Sequence, residues 1–301
     1  MYMKELKNLT YGIVGLGIMG GALAKAIRAH ILSEAGACGR VLASNRSKAP
    51  LVMAQEEAVV DGIYPLDQVS GMLAQCDLVY VCLYPEATLE FLKTHAQDFK
   101  PGAVVTDISG VKTHLVTGLP NGLGSHADFI VGHPMAGGEK EGYINSKASF
   151  FNNRNYILMP QPYNKPENIE LLKSLITAIG FTRIVETDYR THDYKIAFTS
   201  QLCHVIASAL VQSADDNRVT EFGGGSYEDL TRIAMINAPL WTELFMADRT
   251  ELIKHIQKFE SQLSLMRTML ETQDAAGMES YLEQVRSKRM SMSRIDTVRK
   301  V

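Results

Sequence analysis

The sequence predicts an α/β protein in which a doubly wound, mainly parallel sheet is followed by an all-α part. From Leu9 to about Glu186, short apolar runs alternate with helical patterns, which is typical of a parallel sheet with crossover helices. After Thr187 the β-branched runs end, and long stretches of helix-forming residues continue to the C-terminus. We therefore predict two domains, residues 1–187 and 188–301.

Seven apolar runs predict the strands of the sheet. Five of them precede residue 140: Tyr11–Val14, Arg40–Ser44, Leu78–Leu83, Ala103–Asp107 and Phe129–Gly132. Two later runs, Tyr156–Met159 and Thr182–Glu186, flank a helical pattern over Glu167–Ile179 that ends at Gly180, a typical C-cap. We expect these two later strands to extend the same sheet.

The composition excludes several classes of protein. A formal net charge of -3 leaves no broad basic surface for nucleic acid. The four cysteines are scattered without a Cys-x-x-Cys pair, so we expect neither a metal site nor a disulfide framework. No apolar run approaches membrane-spanning length, and the N-terminus carries charges where a signal peptide would be apolar. We therefore expect a cytoplasmic protein.

A glycine-rich turn follows the first predicted strand and precedes an amphipathic helix. It reads Gly15-Leu16-Gly17-Ile18-Met19-Gly20. In this pattern the first glycine allows a tight turn, the second lets a pyrophosphate approach the backbone, and the third packs the helix on the strand. The exposed N–H groups of the helix N-terminus then face the phosphates. These residues predict dinucleotide binding and a sheet of the Rossmann type.

The end of the second strand bears on the choice of cofactor. An NAD enzyme usually has an acidic residue there for the ribose 2′-hydroxyl. Here the residues are Ser44-Asn45-Arg46-Ser47, and no carboxylate lies between Cys38 and Gln55. An arginine flanked by hydroxyl groups suits a 2′-phosphate, so we predict NADP over NAD. Alternatively, Arg46 is a solvated loop charge.

His133 is the candidate general base. Ligands of doubly wound sheets bind outside the carboxyl ends of the strands, and His133 follows the fifth predicted strand in a loop rich in Gly and Pro. A neutral imidazole near the nicotinamide can take the proton of a substrate hydroxyl while hydride leaves the same carbon.

Several segments together resemble the prephenate and arogenate dehydrogenases, in which a Rossmann domain precedes a helical dimerisation domain. The matching residues are Gly132-His133-Pro134-Met135-Ala136-Gly137-x-Glu139-Lys140-x-Gly142, His192-Asp193, Ser200-x-x-x-His204-Val205-Ile206-Ala207, Tyr227–Ala234 and Trp241. The resemblance implies oxidative decarboxylation of prephenate to 4-hydroxyphenylpyruvate and CO2, a step of tyrosine biosynthesis, with hydride transfer to a nicotinamide cofactor and no metal. Arogenate is the alternative substrate.

The resemblance also implies roles for individual residues. His133 accepts the hydrogen bond of the ring hydroxyl, Arg232 binds a substrate carboxylate, His204 lines the pocket and Asp229 orients Arg232. A surface i,i+3 pair is the alternative for Asp229, and a core histidine is the alternative for His204. The family's Asp-x-x-Ser-Val-Lys motif has Gly110 in place of its serine, so Ser109 is the candidate replacement. Gln201 likewise stands where relatives often have a histidine.

Two other functions fit parts of the pattern. Hydroxyacid and pyrroline-carboxylate reductases share the glycine turn, and in the hydroxyacid members a helical lysine does the acid–base work, for which Lys195 is the candidate here. A nicotinamide-sensing protein without chemistry is the non-enzymatic alternative. Finally, a heptad-like stripe in the C-terminal part belongs either to the core or to a homodimer interface: Leu252, Ile256, Phe259, Leu263, Met266 and Leu270.

Overall fold

The computed structural model describes residues 6–138 and 140–294. Glu139, which belongs to the His133 motif, lies outside the described residues, as do residues 1–5 and 295–301 of the two predicted domains. The chain forms two compact units, and the division between them in sequence falls between Arg249 and Thr250. The predicted domain boundary after residue 187 stays a prediction.

The N-terminal part is one eight-stranded sheet with the order β3-β2-β1-β4-β5-β6-β7-β8. The strands are β1 Thr10–Val14, β2 Arg40–Asn45, β3 Gly62–Pro65, β4 Leu78–Val81, β5 Val104–Asp107, β6 Asp128–Pro134, β7 Asn155–Met159 and β8 Arg183–Glu186. Neighbours from β3 to β6 pair in parallel, β7 runs antiparallel to β6, and β8 is parallel to β7. The predicted mainly parallel sheet and its two added strands are therefore confirmed.

Strand β3 is the element that the sequence analysis missed. Its four residues, Gly62–Pro65, contain a glycine and a proline, both of which are unfavourable inside a strand. Proline is tolerated here because β3 pairs only with β2 and forms an edge of the sheet. A short edge strand has no alternating apolar pattern long enough to predict it.

Helices cover both faces of the sheet. The N-terminal helices are α1 Ile18–His30, α2 Lys48–Glu56, α3 Val69–Leu73, α4 Pro85–Thr94, α5 Thr113–Gly118 and α6 Pro166–Ala178. Leu23 of α1 and Leu172 of α6 belong to one buried cluster, whereas Met72 of α3 and Leu92 of α4 belong to a second. This division is the doubly wound arrangement that the apolar runs predict. Each strand end therefore lies between two helical layers.

After β8 the described chain is entirely helical. The helices are α7 Tyr189–Ile196, α8 Leu202–Gln212, α9 Gly225–Thr231, α10 Ala238–Ala247, α11 Arg249–Glu271 and α12 Ala275–Arg294. A π-helical turn over Ala197–Gln201 joins α7 to α8. In residues 6–138 and 140–294, no helix combines the length and the apolar character that crossing a membrane requires.

Candidate active site

The glycine turn has the geometry of a phosphate-binding loop. Gly15 has φ +93°, a backbone conformation that favours glycine, and a Cβ on Gly20 would collide with the Gly15 carbonyl oxygen. Gly17, by contrast, has no atom within 4 Å of its Cβ position. Helix α1 begins at Ile18, and its cap residue, Gly17, has no side chain that could bond to the first amides of the helix. The first turn, which includes Met19, holds no acidic residue. Open space and a helix N-terminus therefore meet where a pyrophosphate would bind.

The last two residues of β2, Ser44 and Asn45, form hydrogen bonds to this turn and to the loop that follows β2. The Asn45 Oδ1 accepts a hydrogen bond from the Leu16 amide at 3.0 Å, and its Nδ2 donates to the Ser47 carbonyl at 3.0 Å. Ser44 is fully buried, and its carbonyl accepts a hydrogen bond from the first glycine of the turn at 2.8 Å. Arg46 and Ser47 are exposed. Of the four predicted cofactor residues at the end of β2 and after it, Arg46 and Ser47 thus present their side chains to solvent.

His133 is the penultimate residue of β6 and so lies within the strand, whereas it was predicted to lie in the loop that follows. The residue before it must be glycine, because a Cβ on Gly132 would lie 2.6 Å from the Tyr156 hydroxyl and 2.9 Å from Thr106 Oγ1. On its other side His133 pairs with Ile157 of the antiparallel strand β7. Strand β6 is thus held by β5 over residues 128–130 and by β7 over residues 131–134, where His133 lies.

A buried ion pair connects the loop after β5 to this end of β6. Lys112 Nζ is 2.6 Å from Asp107 Oδ2, and both side chains have no exposed surface. The same Nζ donates to the Gly132 carbonyl at 2.5 Å, while Asp107 accepts from the amides of Gly132 at 3.3 Å and Ser109 at 2.9 Å. Burial lowers the pKa of Lys112 although Asp107 opposes the shift. The pair connects the ends of β5 and β6 and so fixes the position of His133.

The Ser109 hydroxyl occupies the loop after β5. Ser109 is 4% exposed, and its Oγ has no hydrogen-bond partner in the described part of the chain. At the neighbouring Gly110, a Cβ would lie 3.1 Å from Leu244 Cδ2 on α10. Leu244 would therefore have to shift slightly to admit the family's serine, and Ser109 is the hydroxyl group present in this loop.

Three side chains, His133, His192 and Asp193, form a hydrogen-bonded triad. His133 Nδ1 lies 2.9 Å from His192 Nε2, and the rings meet edge to face. His192 Nδ1 lies 2.7 Å from Asp193 Oδ1. The carboxylate of Asp193 also accepts hydrogen bonds from the backbone amides of Lys112 at 2.9 Å and Thr113 at 2.7 Å. Helix α7 thus brings its buried face against the loop that follows β5.

The surroundings set the charge of each member of the triad. Burial, then the neighbouring His192 and Lys112, lowers the pKa of His133 well below that of an ordinary histidine. Burial also lowers the pKa of His192, against the effect of Asp193. Burial raises the pKa of Asp193, but hydrogen bonds from His192 and Thr113 outweigh it and leave the pKa below its ordinary value. At neutral pH the triad therefore holds two neutral imidazoles and one carboxylate.

The remaining predicted site residues lie in the helical part. The His204 ring stacks on Trp241 with centroids 3.6 Å apart, and its Nδ1 donates to the Ser200 carbonyl at 3.0 Å. Arg232 opens a short 3-10 turn directly after α9, and both Arg232 and Asp229 are exposed. Among the described residues, no hydrogen bond joins His204 or Asp229 to His133.

Sequence reasoning missed the structural roles of Asp107, Lys112 and the His192–Asp193 pair. Asp107 was used only as the end of a predicted strand, Lys112 was given no role, and His192–Asp193 appeared only as part of a resemblance. A charged pair five residues apart, beginning where an apolar strand ends, was the available signal. Nothing local in the sequence indicates that residue 192 reaches residue 133.

Two family models match consecutive parts of the chain. Residues 28–185 match the family model described as prephenate dehydrogenase, nucleotide-binding domain, and residues 188–284 match that of the prephenate dehydrogenase dimerization domain. The chain belongs to the prephenate dehydrogenase family. As a member of it, the chain is an oxidoreductase that uses a nicotinamide cofactor.

Individual members of the prephenate dehydrogenase family match along most of the chain. The prephenate dehydrogenase of Lactococcus lactis is 29% identical over 289 residues, 93% of this chain and 76% of that protein. The structure of prephenate dehydrogenase from A. aeolicus with hydroxyphenyl propionate and NAD+ is 27% identical, with a TM-score of 0.83, and covers 94% of this chain and 98% of that one. Synechocystis arogenate dehydrogenase is 25% identical, with a TM-score of 0.77, over 94% of this chain and 100% of that one.

Proposed function

We propose that this protein oxidises and decarboxylates prephenate to 4-hydroxyphenylpyruvate and CO2, with His133 as the general base. The observation that carries the proposal is the position of His133 at the carboxyl end of β6, where His192 and the Asp107–Lys112 pair hold it and its surroundings lower its pKa. In doubly wound sheets this edge, which also carries the glycine turn, is where cofactor and substrate bind. Such a placement suits proton removal from a substrate hydroxyl.

The chemistry divides between cofactor and protein. The bound nicotinamide supplies the acceptor for the hydride of the hydroxyl-bearing carbon. His133 takes the hydroxyl proton, which leaves a ring ketone opposite the carboxylate. The electrons of the bond to that carboxylate then enter the ring, CO2 leaves, and the phenolate oxygen takes a proton back from the His133 imidazolium to give the phenol. A general base typically contributes about 10² to 10⁴ in rate.

Three other residues are assigned substrate contacts, and a fourth is assigned an orienting role. The buried, unpartnered Ser109 hydroxyl supports a role beside His133 at the ring hydroxyl. Arg232 binds a side-chain carboxylate through its guanidinium fork. His204, stacked on Trp241, lines the pocket, and Asp229 orients Arg232 from one turn earlier in the chain.

NADP is the proposed cofactor. Arg46 and Ser47 are exposed beside the start of α2, whose cap residue Ser47 makes no side-chain hydrogen bond. A cation, a hydroxyl and a helix N-terminus together suit a phosphate, and no carboxylate of this loop would repel it. The relative from A. aeolicus was solved with NAD+. Values of kcat/KM with NAD+ and NADP+ measure the preference of this chain.

We also propose the domain and subunit organisation. The two family models meet between residues 185 and 188, which supports a nucleotide-binding domain over 1–187 and a substrate and dimerisation domain over 188–301. The stripe on α11 supports a homodimer, because Leu263 and Leu270 are 51% and 69% exposed in the single chain. The cytoplasmic location stays a prediction from the sequence.

The rival functions are less well supported. Lys195, the base that a hydroxyacid reductase would need, lies on the exposed side of α7, whereas the same helix turns His192 toward His133. A sensor without chemistry would not require a base held in this way. Arogenate remains the second candidate substrate, because an arogenate dehydrogenase is among the structural relatives.

The test is a four-way assay of prephenate and arogenate, each with NAD+ and NADP+, on wild-type protein and His133→Asn. We expect turnover with prephenate that falls about 10²-fold or more in the variant, with unchanged affinity for the cofactor. Lys195→Met is the matched control and should keep wild-type turnover. If the turnover of His133→Asn stays within a few-fold of wild type, His133 is not the base. If the wild type turns over arogenate but not prephenate, arogenate is the substrate.

A further inference from the structure

The triad of His133, His192 and Asp193 leaves one choice for the position of each proton. Both oxygens of Asp193 accept hydrogen bonds from backbone amides, of Lys112 at 2.9 and 3.2 Å and of Thr113 at 2.7 Å. A backbone N–H group can only donate, so these contacts require the Asp193 oxygens to be acceptors. The atom that faces its Oδ1 at 2.7 Å, His192 Nδ1, must therefore carry a hydrogen.

The same logic extends to His133. A neutral imidazole has one N–H, so the hydrogen on His192 Nδ1 makes His192 Nε2 an acceptor. His133 Nδ1, 2.9 Å away, must then be the donor. The lone pair of a neutral His133 is left on Nε2, the ring nitrogen that the triad does not use.

We propose that His192 and Asp193 are positioning residues that keep the His133 proton on Nδ1 and so leave Nε2 free to accept the substrate proton. This inference rests on the proposed role of His133 as the base. The triad also stabilises the product of proton transfer, because the imidazolium formed at His133 donates through His192 toward the negative charge of Asp193. Of the other charged groups packed against the triad, Lys112 opposes a positive charge on His133, and Asp107 forms an ion pair with Lys112.

Asp193→Asn is the decisive variant because it keeps the shape of the side chain and reverses the direction of the hydrogen bonds. The new carboxamide would turn its oxygen to the two backbone amides and its NH2 toward His192 Nδ1. His192 would then carry its hydrogen on Nε2 and donate to His133 Nδ1, which moves the His133 proton to Nε2 and blocks the base. We expect kcat to fall by about 10²- to 10⁴-fold, as the wrong tautomer does in other catalytic triads, with unchanged affinity for NADP+.

A matched control lies on the same helix. Asp188 caps α7 by accepting from the amides of Arg190 and Thr191, and asparagine is an equally good cap. Asp188→Asn makes the same chemical change outside the triad and should keep wild-type kcat. Loss of activity in both variants to the same extent would overturn the proposal, since it would show a general effect on the helix.

Proton positions are read directly by 15N–1H NMR of histidine-labelled protein, which distinguishes Nδ1–H from Nε2–H. In the wild type we expect His133 and His192 both to carry Nδ1–H, and in Asp193→Asn both to carry Nε2–H. A wild-type His133 with its hydrogen on Nε2 would overturn the proposal even if the variant failed to fold. Unchanged turnover in His133→Asn would instead refute the proposed base. If His133→Asn loses most of its turnover but Asp193→Asn keeps wild-type turnover, only the positioning role is refuted.

Discussion

Replacing Lys112 by methionine tests whether the buried ion pair sets both the stability and the acid–base behaviour of the site. Methionine keeps much of the apolar stem, so little volume is lost. The change removes the contacts of Nζ with Asp107 at 2.6 Å and with the Gly132 carbonyl at 2.5 Å. Asp107 is then a buried carboxylate whose remaining donors are the amides of Ser109 and Gly132.

The expected loss of stability follows from that arrangement. Removing one partner of a buried pair costs about 3 to 5 kcal/mol, and the two remaining amide donors place Lys112→Met near the lower end. A loss of about 3 kcal/mol corresponds to a decrease in Tm of roughly 6 to 12 °C for a domain of this size. The added change Asp107→Asn removes the uncompensated charge, so the double variant should recover more than half of the loss.

Thermal unfolding followed by circular dichroism, at one fixed protein concentration, measures these differences. Lys100→Met is the matched control, because Lys100 Nζ also lies 2.6 Å from a carboxylate, that of Asp77, but 43% and 29% of the two side chains are exposed. An exposed pair is worth about 0 to 1 kcal/mol, so the control should change Tm little. Equal changes in Tm for Lys112→Met and Lys100→Met would refute the reasoning.

The same variant shifts the pH profile. The positive charge of Lys112 helps to lower the pKa of His133. Its loss raises that pKa, and the unpaired negative charge of Asp107 acts in the same direction. Because His133 must be neutral to act as a base, the acid side of the profile of kcat/KM should move to higher pH in Lys112→Met. Wild-type kcat/KM should stay level through neutral pH and fall only below the ordinary range of histidine.

Three further predictions concern cofactor, substrate and subunits. Arg46→Ala should lower kcat/KM for NADP+ by about ten- to a hundredfold and leave kinetics with NAD+ nearly unchanged, and equal wild-type values for the two cofactors would show that Arg46 does not contact a phosphate. Arg232→Lys should mainly raise KM for prephenate, since lysine lacks the bidentate fork, and an unchanged KM would assign the carboxylate to another residue. In sedimentation at micromolar concentration we expect the wild type to be a dimer and the double variant Leu263→Asp, Leu270→Asp to be a monomer. A monomeric wild type would contradict the proposed interface.

The parts of this fold that could be predicted are those encoded locally. The glycine turn and helix α1 are adjacent in sequence and were placed correctly, whereas His133 was placed in a loop and is instead part of the apolar strand β6. The direction of β7 was not predicted because an apolar run has the same pattern whether its neighbour is parallel or antiparallel. Strand β3 was missed because its four residues are too few to show a period.

The groups behind His133 could not be predicted, for a different reason. His192 reaches His133 across 59 residues of sequence, and Asp193 reaches the Lys112 amide across 81. A buried charge that is fully paired has the same sequence signature as a solvated one in a loop. Only the packing of α7 on the loop after β5 distinguishes them.

The pairing of β6 on both sides has a consequence for how the protein can evolve. An interior strand opens only when much of its domain opens, so the backbone that carries His133 should be among the regions slowest to exchange amide hydrogen for deuterium. Arg46 and Ser47, by contrast, lie exposed in a surface loop, where substitutions usually change stability by less than about 0.5 kcal/mol. Substitutions at Arg46 and Ser47, where we propose that cofactor preference is set, should therefore cost little stability, whereas substitutions in β6 around the proposed base should cost more.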